Sequence, residues 1–218
     1  MIDSETSVSV ALFKRMPEYL KALRSMRENG VKTVSSAALS KVVKLNPSVI
    51  KKDLSYASVE TGKPRIGYSV NGLISGIEEF LGYNSTKDAI LVGVGKLGQA
   101  LMGYKGFAEY GLNILAGFDV NPEVIGKVIN GKNVLPVDSL SEEISKLNIK
   151  IAVLATPQDF AQQITDTLVS AGIRAIWNFT PAHIVIPDTV ALKNENMAAS
   201  LAVLSNQLQE ILRKEKEL

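Results

Sequence analysis

Ala89-Ile90-Leu91-Val92-Gly93-Val94-Gly95-Lys96-Leu97-Gly98, a helical stretch, the strand-like Leu112-Asn113-Ile114-Leu115-Ala116-Gly117-Phe118 and then Asp119 together decide how this chain is read. The order strand, glycine turn, helix, strand, acid is what a dinucleotide site requires. Gly93 allows the tight turn, Gly95 the close approach of a pyrophosphate to backbone, and Gly98 the close packing of helix on sheet. A helix starting near Lys96 aims its unpaired N–H groups and positive dipole end at the phosphates. Asp119, twenty-one residues past Gly98, is placed to accept hydrogen bonds from a ribose diol and to repel a 2′-phosphate, so NAD(H) is expected over NADP(H). The candidate cofactor set is therefore Gly93, Val94, Gly95, Lys96, Leu97, Gly98 and Asp119. Glycine-rich turns alone occur in many loops that bind nothing; the flanking strands and the terminal acid add the missing context. A Rossmann scaffold without ligand and a coenzyme A site remain as alternatives.

The chain has 218 residues, 46% of them hydrophobic and 21% charged, which suits a folded protein of two domains. It contains no cysteine. That excludes a disulfide framework, a thiolate metal site and a cysteine nucleophile, and it is compatible with a reducing cytosol. The N-terminal Met1-Ile2-Asp3-Ser4-Glu5 lacks the basic start and apolar core of a signal peptide, and no apolar run approaches the roughly 20 residues of a membrane span. A soluble, cytoplasmic protein is expected.

Charge is unevenly distributed. Residues 1–87 hold 13 Lys and Arg against 8 Asp and Glu, whereas residues 88–218 hold 11 against 14. Between Lys14 and Arg65 the imbalance is 12 basic to 4 acidic. Such a stretch suits either a surface that neutralises phosphates or a solubilising helical surface.

Apolar spacing over residues 7–28 suggests one amphipathic helix, or two broken at Pro17, ended by Asn29-Gly30. Ser35 or Ser36 caps a short second helix, and Pro47 opens a third that runs to Ala57. Thr61 to Val70 reads as a small hairpin with a basic tip. This is a winged helix-turn-helix outline. In it Ser48, Lys51, Lys52 and Ser55 share one face of the groove-facing helix, Lys63 and Arg65 belong to the wing, and Asp53 faces structure or orients a neighbour. The alternative is a solvated helix on a small cap domain.

A closing helix over 71–82 and a polar linker from Tyr83 to Lys87 lead into the glycine-turn region. Beyond it the pattern gives a helix to about Glu109, a Gly126 to Gly131 excursion, a helix Asp138 to Leu147, a strand Ile149 to Leu154 and a helix Gln158 to Ala171. A strand Ile173 to Trp177 and an apolar segment Ile184 to Ile186 follow, and the alternation favours a parallel sheet covered on both faces. The chain closes with an amphipathic helix, Asn194 to Glu217, that packs on its own sheet or docks on a second subunit. The expected fold class is α/β: a winged-helix domain over 1–83, a Rossmann domain over 84–192 and a C-terminal dimerisation helix over 193–218.

These residues resemble, across nearly the whole chain, the bacterial Rex family of redox-sensing repressors. Arg15-Met16-Pro17-Glu18-Tyr19-Leu20, Val34-Ser35-Ser36 and Lys51-Lys52-Asp53-Leu54-Ser55 match its N-terminal segments, and Gly67-Tyr68 ends a similar wing. Gly93 to Leu101, Tyr104, Gly106-Phe107, Phe118-Asp119, Gly126, Ala155-Thr156-Pro157 and Asn178-Phe179-Thr180-Pro181 match its cofactor domain. The resemblance implies a homodimer that binds inverted-repeat operator DNA when NAD⁺ dominates and leaves it when NADH binds, without catalysis. It implies a C-terminal helix exchanged between subunits. It also adds Ser35 to the DNA-binding set, and Tyr104, Thr156 and Pro157 to the cofactor set.

The chain departs from the family at several positions. Lys96 stands where asparagine is usual, adding charge near the pyrophosphate or pointing to solvent. Lys51 replaces an arginine whose bidentate fork it cannot reproduce. Val49 replaces a glutamine, and Ala57-Ser58 stands where Phe-Gly is common. Asn196-Met197 occupies the place of an Asp and an apolar residue, and the family Asp can pair with the arginine matching Arg15. Arg15, Asn196 and Met197 thus form an expected redox latch weakened by loss of a charge. Two rival readings remain: a small NAD-dependent dehydrogenase, for which only His183 offers an imidazole acid, and a winged-helix regulator sensing another nucleotide such as coenzyme A.

Overall fold

A computed structural model describes residues 9–57 and 66–216. The expected wing tip with Lys63 and Arg65 lies outside the described residues, as do Ser58, the start of the helix expected from residue 7, and Glu217. The chain divides into two compact units, 1–85 and 86–218.

In the first unit, α1 (Val10–Glu28) is one helix with Pro17 inside it. Proline removes one backbone donor, but Leu12, Met16, Tyr19, Leu20 and Leu23 bury a continuous stripe that holds both turns together. Asn29 caps the end and Gly30 follows with positive φ. Strand β1 (Thr33–Val34) leads to α2 (Ser36–Val43), whose N-cap is Ser35, its hydroxyl accepting from Ala38 N. Helix α3 (Pro47–Ala57) begins on proline, and Asn46 Oδ1 accepts from both the Ser48 amide and hydroxyl. Strand β2 (Tyr68–Ser69) pairs antiparallel with β1. The expected hairpin is thereby corrected: its described arm pairs with the strand before α2, and Val70 is not strand but the first residue of α4 (Val70–Phe80), capped by Ser69.

The second unit is built on a seven-stranded sheet. It comprises β3 (Lys87–Val92), α5 (Lys96–Gly103), α6 (Gly106–Glu109), β4 (Leu112–Asp119), β5 (Val128–Ile129), β6 (Lys132–Pro136), α7 (Leu140–Leu147), β7 (Ile151–Leu154), α8 (Ala161–Ser170), β8 (Ala175–Asn178), β9 (Ala191–Asn194) and α9 (Met197–Lys216). The strands run in the order β5-β6-β4-β3-β7-β8-β9, parallel except for β5. The parallel part starts at β3, grows outward through β4 and β6, then reverses to β7, β8 and β9. This is the Rossmann order, with its topological switch between β3 and β7.

Strand alternation splits the core into two layers. Ile90 and Val92, with Phe118, Ala152 and Leu154, face α7 and α8 through Leu140, Ile144, Ala161 and Leu168. Leu91, Ile114, Val134 and Val153 face the other side with Val94 and Met102. A bulge shifts the β3–β4 register between Ala89 and Ile90. Gly117 falls on the α5 side, where a Cβ would come within 2.8 Å of Met102 Sδ.

Several expected elements differ in detail. The helix after the glycine turn stops at Gly103 and restarts at Gly106, because Tyr104 turns extended and its ring lies where a Gly106 side chain would be. The Gly126 to Gly131 excursion is in fact a hairpin: Asn130 and Gly131 both have positive φ, as a tight two-residue turn needs, and join β5 to β6. Lys87, expected in the linker, begins β3. The helices expected at Asp138 and Gln158 start as short 3₁₀ turns, Val137–Ser139 and Gln158–Phe160. Ile184 to Ile186 forms no strand; Ile184 is buried as a plug between two prolines, and the edge strand is Ala191–Asn194. Asn194 therefore ends β9 rather than starting the last helix.

Gly98 sits directly under the glycine turn, and a Cβ there would overlap the Gly93 carbonyl oxygen. Gly98→Ala should therefore lower unfolding free energy by about 1–3 kcal/mol, the cost of overpacking, read as a shifted urea midpoint; an unchanged midpoint would show that the turn can yield.

Candidate functional site

Two constellations stand out, one in each unit. In the second, the turn Gly93-Val94-Gly95 leaves β3 at the switch point. Gly93 has a φ of 96°, and a Cβ on it would lie 2.5 Å from Ala155 O. Its amide donates to Phe118 O at 2.8 Å, and Ala155 N donates to Val92 O at 2.8 Å, so the ends of three strands converge. Asp119 Oδ2 accepts from Val94 N at 2.6 Å and Oδ1 from Asn121 N at 2.8 Å. A carboxylate has about four acceptor positions, so each oxygen keeps capacity for a further donor. Gln99 Nε2 donates to Val94 O at 3.0 Å and ties the turn to its helix.

A cleft of about 570 Å³ opens over this turn, lined by Gly93, Val94, Gly95, Lys96, Leu97, Asp119, Thr156 and Pro157, among others. Eight of the ten expected cofactor residues thus meet at one place. Gly98 packs beneath the turn, and Tyr104 lies outside this lining, in a row of rings with Phe107, Trp177 and Phe179 at successive centroid distances of 4.9, 5.4 and 4.9 Å. An adjoining slot of about 320 Å³ shares Gly93, Asp119, Val120, Thr156, Pro157 and Phe160 and adds apolar walls from Val92, Phe118, Val137 and Ile164. Cleft and slot together have the size of a small-ligand site.

Three local facts fit an occupant with phosphates. A Cβ on Gly95 would touch nothing within 4 Å, so backbone there is open to close approach. Thr156 Oγ1 is buried without a hydrogen-bond partner among the described residues. The first turn of α5 offers N–H groups and contains no acid. Those residues fit a dinucleotide: α5 and Lys96 for the pyrophosphate, Asp119 for a ribose diol, and the apolar slot for a planar base.

Sequence reasoning missed Gln99, Phe160, Val120 and Gly117. Gln99 carries no motif signal, and Phe160 lies inside a stretch whose helical period hid its exposure. The Asn130-Gly131 turn was the available clue to a further device: Asn130 Nδ2 donates to Gln99 O and Lys132 Nζ to Met102 O, so the hairpin caps the far end of α5.

In the first unit, α3 buries Ile50, Asp53, Leu54 and Ala57 and exposes Ser48, Lys51, Lys52 and Ser55 on the opposite face. Ser55 Oγ donates to Lys52 O, and Ser35 is exposed at its cap. The buried side is fixed by charge. Arg15 reaches Asp53 through two hydrogen bonds, Nε to Oδ2 at 2.6 Å and a terminal nitrogen to Oδ1 at 2.8 Å, while Tyr19 Oη donates to Oδ2 at 2.7 Å. Burial alone would raise the Asp53 carboxyl; the hydrogen bonds from Arg15 and Tyr19 and the Arg15 charge outweigh it and hold the group below the usual carboxylate range. The Tyr19 phenol is pushed up, first by burial and then by its bond to Asp53.

The expected latch residues fall in different units, and Arg15 and Asn196 each have a partner within their own. Arg15 is held by Asp53, and Asn196 Oδ1 accepts from Ala199 N at the start of α9. Met197 is exposed, and so is His183.

The profile described as "Putative DNA-binding protein N-terminus" matches residues 7–55, and that described as "CoA binding domain" matches residues 84–182. The redox-sensing transcriptional repressor Rex of Bacteroides fragilis is 40% identical over 203 residues, spanning 93% of this chain and 92% of that protein. The chain belongs to the Rex family. Among solved structures, RSP in complex with beta-NAD+ and operator DNA matches with a TM-score of 0.88 at 36% identity, over 97% of this chain and 98% of that one. RSP in complex with beta-NADH matches with a TM-score of 0.87 at 36% identity, over 98% and 100%. The winged-helix and Rossmann fold class thus stands on both local geometry and whole-chain likeness to Rex.

Asp53→Asn should destabilise the first unit by roughly 2 kcal/mol, because it removes the buried carboxylate that pairs with the half-exposed Arg15 and accepts from Tyr19. The sign with pH follows from the lowered carboxyl. Its stabilisation is complete above about pH 4, the unfolded carboxylate value, and is lost as pH falls through the folded value. Chemical denaturation between pH 3 and 7 checks this: wild type should lose the advantage over D53N on acidification, and a constant difference would contradict it.

Proposed function

We propose that this chain is a transcriptional repressor that binds operator DNA as a homodimer and senses the NADH/NAD⁺ ratio, releasing the DNA on binding NADH. The observation that carries the reading is the pairing, in one Rex-family chain, of a cationic helix face anchored from behind with a switch-point cleft that leaves Thr156 Oγ1 unpartnered. The proposed division is a DNA-binding domain over 1–83, a cofactor domain over 84–192 and a dimerisation helix over 193–218, acting in the cytoplasm.

Lys51 and Lys52 neutralise phosphates or reach guanine edges, with Ser35, Ser48 and Ser55 as neutral contacts and Lys63 and Arg65 as wing contacts. Gly93 to Gly98 hold the pyrophosphate, Asp119 the adenosine ribose, and Thr156 and Pro157 the cleft's far wall. Tyr104 heads the aromatic row, a surface on which an uncharged nicotinamide ring is desolvated at less cost than a cationic one. That difference lets one conformer favour NADH. Coenzyme A finds less support: its ribose carries a 3′-phosphate that the Asp119 carboxylate would repel.

Dimerisation rests on α9. Met197, Leu201, Leu204, Leu208, Ile211 and Leu212 are each between 46% and 70% exposed, and α9 has no buried residue. Fully burying each such side chain is worth roughly 1.5–3 kcal/mol, and a second copy of the chain supplies a matching surface, whether by swapping or by simple docking. Arg15, Asn196 and Met197 form the latch in this reading. With a neutral amide at 196, Arg15 gains more from Asp53 than from Asn196, so the latch is weak.

Fluorescence anisotropy on inverted-repeat DNA, drawn from a pool randomised in its half-sites, tests the proposal. Release by NADH at concentrations where NAD⁺ spares the complex is expected. Tight binding indifferent to both would point to another effector, and turnover of NADH with a small carbonyl substrate would favour a dehydrogenase. Gly95→Ala separates site from scaffold: backbone there is ordinary extended and uncrowded, so the fold should keep its stability while NADH affinity falls by about tenfold or more, one misplaced methyl in a close contact costing on the order of 1–3 kcal/mol.

A further inference from the structure

Lys96 is the first residue of α5 and lines the cleft over the glycine turn. It sits at the wrong end of a helix for a cation, since the N-terminal dipole end is itself positive. No acid in the first turn relieves it. Among the described residues no ion pair forms on its ammonium. The acid sharing the cleft, Asp119, instead accepts from Val94 N and Asn121 N. The cleft therefore gathers a helix N-terminus, an unpaired lysine, an open backbone surface at Gly95 and an unpartnered buried hydroxyl at Thr156. Such a set is electrostatically incomplete without an anion.

We propose that Lys96 is a redox-blind phosphate clamp, which strengthens binding of any adenosine diphosphate group in this cleft without helping to distinguish NADH from NAD⁺. The inference rests on the cofactor reading above. Its physical basis is where the two cofactor forms differ. Oxidised and reduced dinucleotides share the adenosine and the pyrophosphate and differ only at the nicotinamide, so a cation at the pyrophosphate multiplies both affinities by one factor. ADP carries the same two phosphates with one more ionised oxygen and gains at least as much. Lys96 thereby sets the total nucleotide level at which the site fills and opens it to competition by adenine nucleotides, while the redox ratio is read elsewhere.

Isothermal titration of the full chain with NADH, NAD⁺ and ADP, each at low and high potassium chloride, tests this on wild type, Lys96→Gln and Lys96→Arg. K96Q should weaken NADH and NAD⁺ by the same factor, about five- to tenfold for one charge-assisted contact, weaken ADP at least as much, leave the NADH to NAD⁺ ratio unchanged and flatten the salt dependence, with K96R retaining most of the affinity. Unchanged binding in K96Q, or a loss confined to one redox form, overturns the clamp while leaving the cofactor reading intact. Failure of wild type to bind any of the three overturns both.

Discussion

The carbonyl of Ala155, one residue past β7, lies so close to Gly93 that no side chain fits between them. That contact joins the two halves of the sheet at the point where strand order reverses. From it follow the positive φ of Gly93, the exit direction of the chain toward α5, and the seating of Gly98 against the turn. Asp119 closes the arrangement by accepting the Val94 amide, so the acid that would face a ribose also rigidifies the loop beside it. Binding geometry and fold stability share the same few atoms here. The site is preorganised because the backbone has no other way to pass.

The first unit solves a different problem, that of presenting positive charge on a helix only eleven residues long. Its answer is to place one carboxylate on the buried face and satisfy it fully. Asp53 takes a two-pronged guanidinium and a phenol from α1. Breaking such a pair leaves a charge stranded, so the rotation of α3 about its own axis is fixed by chemistry as well as by the packing of Ile50 and Leu54. The lysines on the outer face need no partner in the protein, and their direction is inherited from the inner face.

Legibility in the sequence followed the strength of the local signal. The glycine turn, the acid that ends β4, the caps at Ser35 and Asn46-Pro47 and the cationic face of α3 were readable because each depends on residues close together along the chain. The strand Lys132–Pro136 was missed because it is short and half-exposed, and β9 because its residues are mostly exposed and leave no hydrophobic pattern. Ile184 looked like strand for the opposite reason: it is buried without being in the sheet. The Arg15–Asp53 pair spans 38 positions, a distance at which sequence spacing is silent. For the same reason Asp53 could be expected to face structure but not what it would meet.

Trp177 is the chain's single tryptophan. Its ring stands in the aromatic row that begins at Tyr104, and its indole N–H donates to Glu195 Oε1 at 2.9 Å, two residues before α9 begins. Glu195 also pairs with Lys193 on the edge strand. One indole therefore touches both the wall of rings and the root of the terminal helix. Indole emission overlaps the absorption of a reduced nicotinamide and not of an oxidised one, and it shifts when the indole hydrogen bond changes. The fold has thus placed a native optical gauge at the junction where the helix leaves the sheet, and its light would register the state of that junction without any added label.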